Sequence, residues 1–581
     1  MNQSLKEKIN KSLLQLFGNE LKFEVDLQQT KENFEGDYTL VIFPFTKILK
    51  RNPEVIGKEI GNFLLNELEE VQSFNLVGGF LNLSLSYNYF CEELITYSAE
   101  ILKKNNSTIM VEYSSPNTNK PLHLGHIRNN LLGIATANIL AFSGHKVIKT
   151  QIINDRGIHI CKSMVAWKNF SNGETPISSE LKGDHLVGKY YVLFDKEYRN
   201  QLNELIEKGM TAEEAKVNAP LMIEAQQMLL KWEEGDNETL TLWKTMNNWV
   251  YDGFKETYGR LGVAFNKVQY ESDTYLLGKN IVQEGINKSI FFQKEDGSVW
   301  CDLTADGFDE KLVLRKDGTS VYITQDLGTA IERFKDLTIE KLIYVVGNEQ
   351  DYHFKVLFEI LKKLKYSWAD NLFHLSYAMV DLPEGKMKSR EGTVVDADDL
   401  MQEMHSTAKK ISMELGKLEA YTNQEKSDLY ETIGMGALKY YILKVDPKKN
   451  ILFDPNASID FQGNTGPFIQ YTYARIRSIL SKQKPMDFVA CEMGTIEKKI
   501  LRHLLNYSEV IYKAAETLNP SLVANYVYDL VKLFNTFYQS TPILKEENQD
   551  KLNFRLHLSE KVSQTIFSGM ALLGISLPNR M

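Results

Sequence analysis

The chain has 581 residues, of which 43% are hydrophobic and 25% charged, with a formal net charge of −9. Such a length exceeds one hydrophobic core, because domains hold about 100–200 residues, and the composition is that of a globular protein. No apolar run approaches the ~20 residues of a membrane helix, and four scattered cysteines without a CxxC pair exclude a disulfide scaffold and argue against a structural zinc site. Taken alone, the negative charge speaks mildly against a nucleic-acid partner, which needs local positive potential. Residues 464–581 run the other way, with 14 Lys and Arg against 10 Asp and Glu, so the distribution leaves the question open.

In chain order, residues 1–18 carry Leu5, Ile9, Leu13 and Leu16 at helical spacing and lack a signal-peptide core. A cytoplasmic location is expected. Residues 73–86 read as strand. Residues 108–113 form a second β-prone run, and Pro116 and Pro121 then forbid helix across 114–121. An apolar-periodic helix runs on to about Ser143, where Gly144 suits a cap, and 147–153 read as the next strand. Residues 160–265 are charged and helical. Strands and helices alternate again from about 295 to 400, and from about 405 the period is helical to the end. The pattern predicts a small α+β amino-terminal domain (1–105) and a Rossmann-like α/β catalytic domain with a doubly wound parallel sheet (106–405). The helical insertion at about 160–265 falls inside the latter, and an all-α bundle (406–581) closes the chain.

Two segments carry chemistry. His123-Leu124-Gly125-His126 opens the helix after the first parallel strand. Two imidazoles three residues apart share a helix side, the helix start offers free N–H groups to an anion, and Lys120 lies just upstream. Together they predict a phosphate and adenine site. Pro383-Glu384-Gly385-Lys386-Met387-Lys388-Ser389-Arg390-Glu391-Gly392 places three cations within five residues between glycines, a loop suited to clamping a polyphosphate. Gly347 and His353 sit at a predicted strand-to-helix turn where ribose or adenine commonly lies. Met379 and Val380, ending the strand before the cationic loop, are placed against the adenine.

These segments resemble the HIGH and KMSKS signatures of class I aminoacyl-tRNA synthetases, and the wording is closest to the arginyl-tRNA synthetase family. Val111-Glu112-Tyr113-Ser114-Ser115-Pro116-Asn117, followed by Lys120-Pro121-Leu122-His123, is similar to that family's opening block. Tyr322-Ile323-Thr324-Gln325-Asp326, Val345-Val346-Gly347-Asn348-Glu349-Gln350-Asp351-Tyr352-His353 and Gly466-Pro467-Phe468-Ile469-Gln470-Tyr471 resemble later ones. The chain departs from KMSKS at Ser389, where the second lysine is missing. The resemblance implies that Lys120 supplies the lost charge.

The resemblance further implies ATP and L-arginine as substrates, tRNA-Arg as partner, Mg2+ arriving with ATP, no zinc or other metal site, a monomer, and arginine activation that waits for tRNA. Lys120, His123, His126 and Lys386 are its expected catalytic residues. Gly125, Gly347, His353, Met379, Val380, Met387, Lys388 and Ser389 complete the ATP site. Arginine contacts are expected from Glu112, Ser115, Asn117, Glu271, Tyr322, Asp326 and Gln350, because a guanidinium calls for carboxylates. Phe80 and Asn82 match positions that read a base at the tRNA elbow. Tyr471, Tyr473, Arg475 and Arg477 open the helix expected to meet the anticodon, although alternate residues cannot all share one helical face. Another class I synthetase is the nearest alternative, followed by a small-molecule nucleotidyltransferase and a non-catalytic tRNA-binding paralogue.

Overall fold

The computed structural model describes residues 3–18, 24–31, 33–100, 105, 107–336, 338–381, 395–414 and 421–581. The first four strands are β1 (Leu27–Gln29), β2 (Tyr38–Val41), β3 (Val71–Val77) and β4 (Phe80–Leu85). They form an antiparallel sheet in the order β1-β2-β4-β3. Helices Gln3–Phe17 and Pro53–Glu67 belong to the same unit. Asn52 caps the second by accepting from Glu54 N, and Pro53 at the first turn costs no hydrogen bond there.

The central sheet holds β5 (Thr108–Glu112), β6 (Lys146–Ile153) and β7 (Lys267–Tyr270) on one side. The antiparallel strands β8 (Phe291–Gln293), β9 (Val299–Cys301) and β10 (Lys311–Leu314) then form a separate three-stranded sheet. The chain returns to the central sheet with β11 (Lys341–Gly347) and β12 (Leu372–Tyr377). The order β12-β11-β5-β6-β7 is parallel throughout. The chain winds outward from β5 first one way and then, from β11, the other. The crevice between β5 and β11 is therefore the topological switch point, where ligands of such sheets bind.

Side-chain alternation along these strands separates two cores. Ile109, Val111, Ile343 and Val345 join the interior shared with the helix Leu124–Phe142. Met110, Leu342 and Tyr344 face the opposite interior, which holds Ile323, Leu327 and Leu357 from the helices Tyr322–Asp336 and Asp351–Lys363. With a side-chain period of two, neighbouring strand residues must serve opposite layers.

Residues 160–265 are helical as the sequence predicts, chiefly Ile158–Phe170, Gly183–Glu207, Pro220–Glu234 and Asn237–Leu261. Alternation of strand and helix is expected from about residue 295, but β9 and β10 follow each other and complete the small antiparallel sheet with β8. Two short strands, β13 (Val380–Asp381) and β14 (Ile451–Leu452), pair in parallel. The carboxy-terminal bundle includes Gly466–Lys482, Ser521–Ser540 and Gln549–Leu572. The segment after β4 docks on it: Tyr97 OH lies 2.7 Å from Thr565 Oγ1, and Lys561 Nζ donates to Tyr97 O at 2.9 Å.

Candidate active site

The helix Leu124–Phe142 starts at the switch point, and its first turn is closed by two imidazoles. His123 is the N-cap: its Nδ1 accepts from Gly125 N at 3.2 Å, while His123 N donates to His126 Nδ1 at 3.1 Å. The rings lie 3.8 Å apart. With Nδ1 accepting on both, Nε2–H is the remaining donor of each neutral ring. Burial, with Lys120 adding to it, pushes the His123 pKa down to about 3. Burial, His123 and Lys120 push His126 well below its usual range. At neutral pH the pair therefore offers hydrogen bonds and no charge. A Cβ at Gly125 would sit 3.0 Å from the His123 ring, so glycine spares that ring a displacement. Burial alone lowers the Lys120 pKa, so this half-buried ammonium would gain from an anion.

The loop between β5 and this helix is tightly held. Ser114 adopts φ 64, a costly conformation for a non-glycine residue. Asn129 Oδ1 accepts from its N–H at 2.6 Å, and its hydroxyl meets Tyr258 OH at 2.8 Å. Thr118 N donates to Asn154 O and Asn154 N to Pro116 O, at 3.1 and 2.9 Å, across to the end of β6.

Lys386, Met387, Lys388 and Ser389 lie outside the described residues, but both flanks of that segment are anchored to the same helix. Arg128, only 1% exposed, donates to Met379 O at 2.7 Å, Pro447 O at 3.0 Å and Lys449 O at 2.7 Å. Charge-assisted bonds of this kind are each worth about 1.5–3 kcal/mol. On the far flank, Leu124 N donates to Val395 O and Ala397 N to Leu122 O, at 3.2 and 2.9 Å. Sequence reading missed Arg128. Its signal was an arginine inside an otherwise apolar helix, where a fixed charge needs a dedicated set of partners.

Carboxylates gather across the crevice. Asp326 lies in the second turn of Tyr322–Asp336, so it is no N-cap, and its Oδ2 lies 2.6 Å from His353 Nε2. Glu271 follows β7. Burial raises its pKa to about 7, with Asp155 and Asp326 adding to the rise and Arg156 and Gln325 opposing it. Asp155 is buried and accepts from Ser272 N, Ser272 Oγ and Tyr251 OH at 2.9, 2.7 and 2.9 Å. Arg156 is already engaged, paired with Glu233 at 2.8 Å and stacked 3.9 Å from the Tyr275 ring. A carboxyl raised to about 7 beside two more marks a place where a cation would bind well.

The other expected contacts divide. Glu112 is buried and ion-paired with Arg333, which also donates to Gln269 Oε1 at 2.9 Å. It braces the helix Tyr322–Asp336 against the sheet. Ser115, Asn117 and Gln350 are exposed at the strand ends, and Tyr322 is 75% exposed. Gly347 ends β11. Val380 is buried in β13, whereas Met379 keeps 38% exposure.

Two further surfaces bear on the expected base contacts. Phe80 is 44% exposed and stands edge-on to Phe43, with ring centroids 5.8 Å apart. Asn82, two residues along β4, is 2% exposed and accepts from Thr39 Oγ1 at 2.6 Å. The turn at Gly36 covers it, so the aromatic is presented and the amide is not; Phe43 is the second presented group that sequence reading missed. In the bundle, Tyr471, Arg475 and Arg477 line a cavity of about 810 Å³ together with Lys482, Tyr538 and Lys545. Arg475 sits 4.9 Å from both the Tyr471 and Tyr538 rings. Tyr473 is 6% exposed and belongs to the core, the division that helical periodicity demands.

Three family profiles match consecutive stretches of the chain. Residues 3–85 match the arginyl-tRNA synthetase N-terminal domain, 93–454 the catalytic domain of class I (R) tRNA synthetases, and 469–581 the DALR anticodon-binding domain. An arginine–tRNA ligase of Flavobacterium psychrophilum is 55% identical with both chains fully covered. One of Bacteroides thetaiotaomicron is 56% identical over 97% of each chain. Among solved structures, the arginyl-tRNA synthetase of Thermus thermophilus superposes with a TM-score of 0.82 at 24% identity over all of both chains. That of Plasmodium falciparum gives 0.75 at 19% identity over 100% and 99%. At these identities the two structures speak for the fold.

Proposed function

The chain belongs to the arginyl-tRNA synthetase family and joins arginine to tRNA-Arg at the expense of ATP, and we propose how its side chains divide that work. The observation that carries the reading is the meeting, at the carboxyl edge of one parallel sheet, of two opposite environments. One is a helix start with a half-buried lysine and two neutral imidazole donors. The other is a group of carboxylates in need of a cation.

ATP lies over the start of Leu124–Phe142, with its phosphates at Lys120, His123 and His126 and its adenosine toward Gly347, His353, Met379 and Val380. Lys386, Met387, Lys388 and Ser389 complete the site from the segment that Arg128 and Leu122–Leu124 anchor. The arginine guanidinium lies against Asp326 and Glu271, with Ser115, Asn117, Tyr322 and Gln350 around the rest of the amino acid. A carboxylate oxygen of arginine attacks the α-phosphorus in line. The bond from that phosphorus to the oxygen bridging toward the β-phosphate breaks, and its electron pair leaves with pyrophosphate. Positioning and charge stabilisation supply most of the acceleration. Magnesium bound to the incoming ATP would add positive charge beside the phosphates. The 2′-hydroxyl of the terminal adenosine of tRNA then attacks the adenylate carbonyl, its proton passes to the adenylate phosphate, and the bond from the carbonyl carbon to the phosphate oxygen breaks as AMP departs.

We keep as a proposal the division into a tRNA-elbow unit (1–105), a catalytic unit (106–405) with its insertion at 160–265, and an anticodon unit (406–581) whose partly buried Tyr471 and Arg475 and exposed Arg477 meet unpaired bases. Phe80, beside Phe43, stacks on a base of the elbow. Phe80→Ala is expected to raise the tRNA KM by about five- to 150-fold, the range of one base–aromatic stack, with the ATP KM unchanged in steady-state charging.

Activation is proposed to wait for tRNA. The turn whose carbonyls Arg128 binds reaches the bundle, because Asn519 Nδ2 donates to Asp446 Oδ2 at 2.9 Å. A partner held by the bundle can thereby favour one arrangement beside the ATP site. Pyrophosphate exchange with arginine and ATP is expected to be negligible alone and restored by tRNA-Arg; equal exchange without tRNA refutes the dependence. Glu271 adds a pH signature. Its carboxyl, raised to about 7, must lose its proton to meet the guanidinium. The arginine KM should therefore climb as pH falls below about 7, by up to about tenfold per unit for one proton, and level off above. Glu271→Gln should flatten that slope in initial-rate measurements.

A further inference from the structure

The helical insertion ends its path at the ATP site in a cluster of charges. Lys182, the residue before the helix Gly183–Glu207, donates to Asp398 Oδ2 at 2.5 Å, Thr257 Oγ1 at 2.6 Å and Asp184 Oδ2 at 3.1 Å. His185 Nε2 lies 3.3 Å from both Asp396 Oδ2 and Asp398 Oδ2. The Asp184–His185–Asp398 grouping has the spacing of a cation site, but the Lys182 ammonium already supplies the positive charge. Asp184 is fully buried, so its pairing with Lys182 is a matter of necessity: a buried carboxylate without a partner is strongly destabilising.

The cluster connects directly to His123. Asp396 is the antiparallel bridge partner of His123. It also caps the helix Ala397–Glu414, accepting from Asp398 N at 2.8 Å and Asp399 N at 3.2 Å. The same insertion helix touches the preceding residues: a Cβ on Gly188 would stand 2.8 Å from Pro121 Cδ and 3.6 Å from Lys120 Cα. The backbone carrying Lys120 and His123 is thus gripped by the insertion from two directions, once by close packing at Gly188 and once through the charges on Asp396 and Asp398.

We propose that Lys182 and His185 are positioning residues for arginine activation, and that the insertion serves to hold the Lys120–His123 segment in register for the α-phosphate through Asp396 and Asp398. This rests on the assignment of Lys120 and His123 to the ATP site. The charged groups facing His185 are Asp398 in the helix Ala397–Glu414, Asp396 just before that helix, Asp184 in its own helix and Lys182 just before it. The hydrogen bond to Asp398 leads in raising the His185 pKa, with Asp396 and Asp184 adding to it and burial and Lys182 opposing. Burial pushes the Asp398 pKa up, but His185 and Lys182 outweigh it and hold that carboxyl at about 2. Asp398 thus stays ionised, and the grip of His185 is strongest while His185 is protonated. It weakens as pH rises through the raised pKa.

The test uses full-length enzyme with tRNA-Arg and arginine-dependent pyrophosphate exchange, measured as kcat and KM from pH 6 to 9. Lys182→Met is expected to lower kcat by about 100-fold, the loss that follows ångström-scale misplacement of reacting groups, with KM for ATP and arginine little changed. Lys182→Arg should recover most of it. His185→Gln should remove an alkaline decline in kcat that the unaltered enzyme shows. A purely structural role predicts lower thermal stability with unchanged kcat in the surviving enzyme and the same pH profile, and that result overturns the proposal. If Lys182→Met does not fold, Lys182→Arg and His185→Gln decide by the pH profile. His123→Ala serves as reference. Full activity there removes the site assignment itself, whereas an inactive His123→Ala beside fully active Lys182→Met and His185→Gln removes only the positioning role.

Discussion

Replacing Lys120 by alanine is expected to lower arginine-dependent pyrophosphate exchange by about 100- to 1,000-fold, the loss typical of removing one preorganised donor to developing negative charge. The ATP KM should move far less, because the charge acts mainly as the α-phosphorus becomes crowded and pyrophosphate departs. His123 and His126 are both pushed to the neutral state at physiological pH, so they cannot replace a lost cation. Ser389 stands where the usual second lysine of the signature would be. Lys120 is half-buried and burial lowers its pKa, so a phosphate beside it would offset that desolvation. Ser389→Lys in the Lys120→Ala background should restore part of the rate. Normal turnover by Lys120→Ala, followed by rapid chemical quench, would show that the charge comes from elsewhere.

Asp326→Asn is expected to raise the arginine KM by about 100-fold, corresponding to about 3 kcal/mol for losing one partner of a hydrogen-bonded charge pair. Asparagine keeps an oxygen to accept from His353, which lies 2.6 Å from the aspartate, so the change removes charge while sparing that contact. The ATP KM should hold, and so should the melting temperature to within a few degrees, since a partly exposed polar replacement costs little. A variant with an unchanged arginine KM would move guanidinium recognition away from the helix Tyr322–Asp336.

The strand, proline-bounded loop and His123 helix were legible in the sequence because each rests on local rules: β-propensity, the steric veto of Pro116 and Pro121, and apolar spacing. The bundle and the insertion were legible for the same reason. What escaped depends on partners far apart in the chain. Glu112 is expected to contact arginine, but Arg333 on a helix more than two hundred residues later pairs with it. Asn82 shares a strand face with Phe80, yet the Gly36 turn covers one and not the other. Arg128 belongs to no motif, and its place in an apolar helix signals burial without naming partners; the tertiary structure shows the three carbonyls it gathers. Lys182, His185 and Asp398 lie in segments with no sequence signature, so their convergence has no local signal.

Arginine is proposed to be selected by the charge of its side chain, met by Asp326 and Glu271. Pyrophosphate exchange in the presence of tRNA-Arg, compared between arginine and citrulline, tests it most directly, because citrulline keeps the shape and replaces the cation by a neutral urea. Exchange is expected to be robust with arginine, and citrulline is expected to show a kcat/KM lower by at least about 1,000-fold, since the Asp326 and Glu271 carboxylates would face a neutral group in place of their cation. Comparable exchange with citrulline would contradict it.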